Sequence, residues 1–403
     1  MIKTFLTVLI LLFLTACSNQ LNHDILDRFE DENLAQEIRD QLNDKGLESP
    51  FSIHDLLKIT EIRNITNRIK SLEGIQYIAN LERIQLWIYS VDLKPLSRLD
   101  YLTRLSISGI SSFQEEDSPV SHLKNLDGIS NLKNIKHLDL SGHTIDDYSA
   151  LNNLSNLTAL TLRYTNFNNL ILLQGFNNLT NLNLRRSNIS NLSALPVLPS
   201  LQSLVIDYNS LYSLDGLENA QNLQRLWAAH NNLLEIEALN DLTCLTLLTA
   251  NSNYITDLAP LNNLAKLNIL HLQDNIITDL APLNNLTQLS TVNLSNNKIS
   301  DLKPLQHNYE LNWLELENNK IKNVTSLSGF EQLSILNLQG NLIKDITPLK
   351  FLENIFRLDI RHNKITDASP LQNLNIFHSI NWYGNPASDK NENILSIPDN
   401  LWD

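Results

Sequence analysis

Residues 267–288 read LNILHLQDNIITDLAPLNNLTQ, and the same 22-residue frame recurs along most of the chain. The frame is L-x-x-L-x-L-x-x-N-x-I-x-D-L-x-P-L-x-x-L-x-x, and its positions are numbered 1 to 22 from the first leucine. A fixed period of this length indicates a solenoid of stacked repeats, because one repeat alone cannot bury its apolar edge. The frame therefore predicts one repetitive architecture for most of the chain.

The frame can be followed in both directions from this repeat. A partial fourteenth repeat begins at Phe377, and the repeat that opens at Leu102 is 33 residues long, which places 11 extra residues near 112–122. We expect that insertion to be a solvated bulge, or a loop that flanks a binding surface. The 13 full repeats begin at Leu81, Leu102, Ile135, Leu157, Leu179, Leu201, Leu223, Leu245, Leu267, Leu289, Leu311, Leu333 and Ile355.

The first half of the frame is the leucine-rich-repeat signature. We expect an α/β solenoid, a horseshoe with a curved parallel β-sheet on its concave face and short 3₁₀ or turn elements on its convex face. Positions 1, 4, 6, 11, 14, 17 and 20 should form the core, whereas positions 3, 5 and 7 should project from the concave face with position 8 at its rim. Position 9 is asparagine from Asn209 through Asn385, where a buried amide can bond the turning backbone. Earlier repeats lack this asparagine, so we expect them to be less regular.

A helical cap should cover the first repeat. Leu34, Ile38 and Leu42 fall on one helical stripe that Gly46 would end, and residues 52–55 (SIHD) resemble a capping box. The predicted segments are a signal peptide at 1–16, a polar tether at 17–28, an N-terminal helical cap at 29–80, the solenoid at 81–386 and a C-terminal cap or tail at 387–403.

The N-terminus has the features of an exported lipoprotein. Lys3 precedes an apolar run at 5–14, which is too short to span a bilayer as a helix. Residues 14–17 (LTAC) resemble the lipobox of bacterial lipoproteins, a family in which cleavage before the cysteine is followed by acylation. The resemblance implies that Cys17 is lipidated and anchors the protein to the bacterial envelope, at the outer membrane if the host has one.

Composition excludes some classes of partner. The formal net charge of −14 argues against nucleic acid and against a polybasic membrane surface. The repeated aspartates on the convex side chiefly favour solubility. Only Cys244 remains besides Cys17, and a lone cysteine is usually a small buried hydrophobe.

The sequence gives no support for an enzyme, a cofactor or a metal site. P-loop, HExxH, GxSxG and CxxC motifs are absent. His137 and Asp139 share a strand face but lack a third ligand. Glu315 and Glu317 also share a face, yet a catalytic carboxylate pair would need an apolar pocket to raise one pKa, which an open solenoid face rarely provides.

Two clusters interrupt the polar background of the predicted concave face. Tryptophan, tyrosine and arginine are enriched at binding hot spots, and a basic patch in an acidic chain suggests an acidic partner surface. The first candidate, which would be flanked by exposed Val205, Leu247 and Ile269, comprises Arg163, Tyr164, Arg185, Arg186, Tyr208, Arg225 and Trp227. The second candidate comprises Trp313, Glu315 and Glu317, with Arg357 and Arg361 nearby.

The helical cap, residues 71–78 (SLEGIQYI) and the repeat ending DLAPLNNL at 257–264 and 279–286 resemble the internalin family of bacterial surface proteins. The resemblance covers residues from about 30 to 385. It implies protein binding through the concave face, in several members to host receptors. Internalins commonly continue into an immunoglobulin-like domain and a cell-wall attachment region, which are not found here, so we expect attachment through the N-terminal lipid. Cytosolic phosphatase-regulating proteins share the repeat length, but the signal peptide argues against that class.

These observations predict a non-enzymatic, lipid-anchored, monomeric bacterial surface protein that binds a protein ligand. A host surface protein is one candidate partner, which would make the molecule an adhesin or a virulence factor. The alternative is an envelope or periplasmic scaffold that binds the cell's own proteins or glycans.

Overall fold

The computed structural model describes residues 23–63, 68–109, 121–374 and 379–387. The chain forms two compact bodies, the first comprising Met1–Phe167 with Gly175–Asn178 and the second Asn168–Gln174 with Leu179–Asp403. The predicted signal peptide, Cys17, the tether up to residue 22, most of the 112–122 insertion and the tail beyond Ala387 lie outside the described residues.

The first body begins with the predicted helical cap. Helix α1 spans Glu32–Asp44, and the Asp31 carboxylate accepts the first free backbone N–H groups of that helix. Its stripe of Leu34, Ile38 and Leu42 is fully buried, and Gly46 follows with a φ of 76°, as a helix C-terminus requires. Helix α2 spans Ile53–Leu56, where the Ser52 N–H and hydroxyl both donate to the Asp55 carboxylate. These hydrogen bonds lower the pKa of Asp55, and the expected capping contact is confirmed.

A parallel sheet runs through the first body in the order β1-β2-β3-β5-β7, and β4 pairs with β6 in a separate two-stranded sheet. Strand β1 extends the sheet into the cap, which the 22-residue frame did not predict. The strands are β1 (Glu61–Ile62), β2 (Arg83–Trp87), β3 (Arg104–Ser108), β4 (Ser121–Asn125), β5 (His137–Asp139), β6 (His143–Asp147) and β7 (Ala159–Thr161). The 3₁₀ helices span Ile25–Arg28, Ile75–Tyr77, Lys94–Arg98, Asp127–Ile129 and Ser149–Asn153.

The second body is the regular part of the solenoid. Its strands pair in parallel with a constant register of 22 residues, as in Leu226 with Leu248 and Leu248 with Leu270. Each strand occupies frame positions 3 to 5. The strands are β8 (Asn181–Asn183), β9 (Ser203–Val205), β10 (Arg225–Trp227), β11 (Leu247–Thr249), β12 (Ile269–His271), β13 (Thr291–Asn293), β14 (Trp313–Glu315), β15 (Ile335–Asn337), β16 (Arg357–Asp359) and β17 (Ser379–Asn381).

Short 3₁₀ helices return the chain to the next strand, as predicted from the D-L-x-P-L segment. The position-13 aspartate accepts the backbone N–H two residues later, for example Asp279 from Ala281 at 2.8 Å. These aspartates therefore cap the 3₁₀ helices in addition to contributing charge. The helices span Leu170–Leu173, Leu217–Asn219, Glu237–Leu239, Ala259–Leu261, Ala281–Leu283, Lys303–Leu305, Thr325–Leu327, Thr347–Phe351 and Ser369–Asn373.

The core of each repeat is the set of apolar positions that the frame predicts. Burying such a side chain contributes about 1.5–3 kcal/mol, and stacking extends the same core from one repeat to the next. In the repeat that opens at 267, the side chains at 0–1% exposure are Leu267, Leu270, Leu272, Ile277, Leu280, Leu283 and Leu286.

Position 9 forms a continuous ladder of buried amides in the second body. The Asn297 side-chain amide donates to the carbonyls of Leu272, Leu294 and Ser295, and its Oδ1 accepts the N–H of Ile277. The same pattern recurs from Asn231 to Asn363, so each asparagine satisfies backbone groups of its own repeat and the preceding one. The predicted role of position 9 is confirmed.

Other side chains occupy position 9 in the first body. His143 is fully buried, and its Nε2 lies 3.0 Å from the carbonyl oxygen of Ile107. Thr165 donates to the Leu162 carbonyl, while the neighbouring Asn166 bonds both the N–H and the carbonyl of Ile145. The turn is therefore satisfied by a different side chain in each repeat, as the missing asparagine led us to expect.

Candidate binding surface

Strand β10 presents two large side chains on the open face of the sheet. Leu226 points into the core, whereas Arg225 is exposed and Trp227 is half-buried on the opposite side. The register places Trp227 between Val205 and Thr249 of the adjacent strands. We expected Val205, Leu247 and Ile269 to be exposed; they are half-buried, because side chains on neighbouring strands only about 4.8 Å away cover them.

Position 8 has a left-handed backbone, which turns the chain out of the strand so that the position-9 asparagine can reach inward. Glycine, asparagine and aspartate adopt this conformation at the lowest cost, and several repeats use them. The residues with positive φ at this position are Gly142, Tyr164, Arg186, Tyr208, His230, Ser252, Asp274, Asn296, Asn318, Gly340, His362 and Gly384.

Four consecutive repeats carry a bulky residue at this costly position. Tyr164, Arg186, Tyr208 and His230 have φ values of 54°, 55°, 56° and 52°. A side chain of this type in the left-handed region costs about 1 kcal/mol relative to glycine. Backbone geometry therefore does not explain these residues, and strain of this kind is characteristic of functional surfaces.

Their side chains stack on one another in the second body. The Tyr208 ring lies 4.2 Å from the His230 ring, and the planes differ by 14°. The guanidinium carbons of Arg186 and Arg185 lie 4.5 Å and 4.8 Å from the centre of the Tyr208 ring. Cation–π attraction and ring stacking therefore order this group before any partner arrives. We define the central patch as Arg185, Arg186, Tyr208, Arg225, Trp227 and His230.

One carboxylate lies beside the central patch. Asp207 is half-buried, and its Oδ1 accepts the N–H of Ala229 at 2.7 Å. Burial raises the pKa of Asp207, and the hydrogen bond from Ala229 and the positive charge of Arg185 oppose that rise. This carboxylate neutralises part of the positive charge, and the three arginines leave a net positive patch.

Arg163 and Tyr164, the other two predicted residues of the first cluster, belong to the first body. Both are half-buried, and the Arg163 carbonyl accepts the N–H of Gly142 at 2.8 Å. Arg163 occupies position 7 and Tyr164 occupies position 8, as the frame predicts.

The carboxylates of the second predicted cluster accept hydrogen bonds from Trp313 of the same cluster and from two neighbouring asparagines. The Trp313 indole donates to Glu315 at 2.6 Å, and Asn337 and Asn318 donate to Glu317 at 3.4 Å and 3.2 Å.

Arg361 is tied to a buried acid that the sequence analysis did not identify. Its Nε donates to both carboxylate oxygens of Asp359 at 2.9 Å, and its Nη1 donates to the Tyr383 hydroxyl at 3.0 Å. These contacts raise the pKa of Arg361. Burial lowers the pKa of Arg357, against the opposing effect of the nearby Glu315 charge.

The candidate chemical groups do not assemble into a reaction centre. Asp139 accepts hydrogen bonds from Ser106 and Ser141, and burial followed by the charges of Arg104 and Lys136 lowers the pKa of His137. In the described part of the chain, His, Cys, Asp and Glu side chains nowhere gather in threes that could bind a metal ion. The same residues contain no helix that is both long and apolar enough to cross a bilayer.

The sequence did not reveal one side chain of the central patch and three on the adjoining edge. His230 completes the stack on Tyr208, and the 22-residue spacing between the two could have revealed it. Tyr212, Leu234 and Tyr254 project from the adjoining edge with 62%, 55% and 51% of their surface exposed. They lie at positions 10 and 12, outside the columns that the frame assigns to the sheet face.

The sequence model for leucine-rich repeats (two copies) matches residues 265–307. The protein is built of leucine-rich repeats. Its structure is similar to that of the internalin inlF from Listeria monocytogenes, with a TM-score of 0.71 and 28% identity over 90% of this chain and 98% of that chain. A leucine-rich-repeat protein of Leptospira interrogans has a TM-score of 0.65 and 23% identity, over 82% of this chain and 92% of that one.

More distant structures share the fold alone. The plant peptide hormone receptor RGFR1, solved in complex with RGF2, has a TM-score of 0.60 and 18% identity over 82% of this chain and 60% of that chain. A sequence search of curated proteins found no match. Leucine-rich repeats are typically binding scaffolds, and such repeats commonly mediate contacts between proteins.

Proposed function

We propose that the protein binds a protein partner, without catalysing a reaction on it, through the open sheet face and rim of the solenoid. The contact surface consists of the central patch of the second body. Arg163 and Tyr164, in the first body, stay predicted contacts from the sequence. The cluster of Trp313, Glu315 and Glu317 is a secondary contact at most, since Glu315 already accepts a hydrogen bond from Trp313 and Glu317 accepts one from Asn318.

One observation carries this proposal: the run of Tyr164, Arg186, Tyr208 and His230 in left-handed backbone. The next five repeats place Ser252, Asp274, Asn296, Asn318 and Gly340 at the same position, and a large residue returns there only once in the described repeats, as His362. Ordinary folding favours the small or polar residues there. Arginine and aromatic side chains are the types that dominate binding energy when they are covered by a partner.

The test is a double substitution on the sheet face, Trp227→Ala with Arg185→Ala. Both side chains lie outside the core, so the thermal transition should move by only a few degrees. We expect partner capture to be lost, because two hot-spot residues each contribute roughly 2 kcal/mol or more. The matched control is Gln339→Ala. Gln339 occupies position 7 of its repeat, as Arg185 does, but it is far from the central patch in sequence. Unchanged capture by the double variant would remove the patch as the contact surface.

We further propose that the protein is exported and held at the bacterial envelope as a monomer by acyl chains on Cys17. The LTAC sequence at 14–17 supports this, and the similarity to inlF, an internalin, supports a role at the cell surface in adhesion or host interaction. Two acyl chains hold a protein at a membrane firmly, whereas one does not.

Metabolic labelling with a fatty acid tests the anchor. The wild type should incorporate the label and partition into detergent, and Cys17→Ser should do neither, while Cys244→Ser should behave as the wild type. Protease added to intact cells then tests surface display. Digestion supports the adhesive role, and protection favours a scaffold inside the envelope.

A further inference from the structure

Three large apolar side chains lie on the edge of the second body beside the central patch. Tyr212, Leu234 and Tyr254 are each more than half exposed. The Leu234 N–H donates to the Tyr212 carbonyl at 3.0 Å, and the Tyr254 N–H donates to the Leu233 carbonyl at 2.9 Å. The three side chains therefore come from adjacent turns of the solenoid. We name them the edge strip.

The edge strip is close to the central patch along the chain. Tyr212 follows Tyr208, and Leu234 follows His230, by four residues. Four residues of extended chain span at most about 14 Å, so the Cα atoms of Tyr212 and Leu234 lie within that distance of the Cα atoms of Tyr208 and His230. A partner that covers Tyr208 and His230 therefore reaches the strip without leaving the surface of the second body.

Basic residues precede the edge strip, and acidic residues follow it. Arg185, Arg186 and Arg225 lie on the sheet face and its rim, the edge strip is apolar, and the exposed Glu235 and Glu237 follow Leu234 in the chain. An apolar band of this kind between opposite charges favours a partner that is itself amphipathic.

A polymer dense in phosphate or sulfate groups would find few binding contacts on this surface. The molecule carries a net charge of −14, and three arginines provide few of the phosphate or sulfate contacts that polyanion binding needs. The next three strands carry no formal charge on the open face, since burial lowers the pKa of His271 and keeps it neutral. Their outward residues are Leu247, Thr249, Ile269, His271, Thr291 and Asn293.

We infer that the partner presents an acidic polypeptide segment that also carries aromatic or aliphatic side chains. Its carboxylates contact the arginines of the central patch, and its apolar side chains cover Tyr212, Leu234 and Tyr254. This inference rests on the proposed function and adds to it the chemistry of the partner and a contact surface that extends over the edge of the sheet.

Defined polymers provide the probe. The purified full-length protein, in mild detergent, is immobilised and titrated with a random glutamate–tyrosine copolymer, with poly-glutamate, with a lysine–tyrosine copolymer and with heparin, all at one ionic strength. We expect the glutamate–tyrosine copolymer to bind about tenfold more tightly than poly-glutamate, because only it can cover the strip. The net charge of −14 attracts the lysine–tyrosine copolymer to the chain as a whole, so its binding should not depend on the arginines of the central patch.

Two variants separate the strip from the arginines. The triple variant Tyr212→Ser, Leu234→Ser and Tyr254→Ser should reduce binding of the copolymer to the level of poly-glutamate and leave poly-glutamate binding unchanged. Arg186→Ala with Arg225→Ala should weaken both acidic polymers about tenfold. The matched control for the strip removes exposed apolar side chains elsewhere in the second body: Leu342→Ser, Phe351→Ser and Phe356→Ser. Thermal transitions of all variants verify folding.

The outcomes distinguish the two proposals. If the strip variant binds the copolymer as the wild type does while the arginine variant is weakened, the inference fails and the proposed surface stands. If neither variant affects binding, both fail. The inference is also overturned if heparin binds more tightly than the other polymers. It is overturned as well if the strip variant and its matched control bind the glutamate–tyrosine copolymer equally.

Discussion

Acidification should destabilise the first body through His143, which is buried and occupies the place of a ladder asparagine. Its Nε2 bonds the Ile107 carbonyl, and its Nδ1 is buried without a hydrogen-bond partner among the described residues. A proton on Nδ1 would add a charge and an unpaired donor to the interior. Burial accordingly lowers the pKa of His143 from its ordinary 6.5 to about 4.

The sign of the effect follows from proton linkage. The unfolded chain takes up a proton at this histidine below about pH 6.5, and the folded chain does so only near pH 4. Stability is therefore lost as the pH falls between those two values. The loss amounts to roughly 2 kcal/mol at pH 5 and to about 3 kcal/mol below pH 4.

The variant His143→Asn isolates this contribution. Asparagine occupies the equivalent position in later repeats, where its amide donates to the corresponding carbonyl, and it does not titrate. Urea unfolding followed by circular dichroism at about pH 7.5 and pH 5 gives the loss of stability for each protein. We expect the variant to lose roughly 2 kcal/mol less than the wild type. Other titrating groups cancel in this comparison.

The control is His307→Asn, which makes the same substitution at an exposed histidine. If His143→Asn and the wild type lose the same stability within about 0.5 kcal/mol, the histidine does not resist protonation in the folded state. The argument from burial and the unpaired Nδ1 would then be refuted.

Two further predictions concern the ladder and the central patch. Asn297→Ala should reduce the free energy of unfolding by roughly 3–5 kcal/mol, since it leaves several buried backbone groups unpaired; urea titration measures this, and Asn285→Ala, at an exposed asparagine, should change little. Asp207→Asn keeps an acceptor for the Ala229 N–H but removes a negative charge beside Arg185, so at neutral pH the glutamate–tyrosine copolymer should bind roughly three- to tenfold more tightly. Equal affinity would mean that the Asp207 charge does not reach the bound polymer.

Much of this molecule can be predicted from the period alone. The frame correctly assigns the core, the parallel register and the asparagine ladder, because each follows from one side chain's position in a turn that repeats. It also places Arg225 and Trp227 on the open side of β10, since side chains alternate along a strand.

Other features depend on contacts that a linear frame does not encode. The salt bridge that ties Arg361 to Asp359 depends on side-chain conformation, although the two residues share a strand face. The pattern of leucines does not indicate the left-handed backbone at position 8. The residue types at that position do, because Gly340, Gly384 and Asn296 are of the types that adopt this conformation most readily. Strand β4 and its pairing with β6 follow the 112–122 insertion, to which the frame does not apply.

The asparagine ladder restricts how such a chain can change in length. Each amide bonds carbonyls 25 and 3 residues earlier and an N–H 20 residues earlier, as Asn319 does. Duplication or loss of a whole repeat preserves every one of these spacings, whereas a shorter insertion inside a repeat separates an amide from its acceptors. The open sheet face can thus be lengthened or shortened by one repeat at a time. Point substitutions at positions 3, 5, 7 and 8 change only the side chains that this face and its rim present.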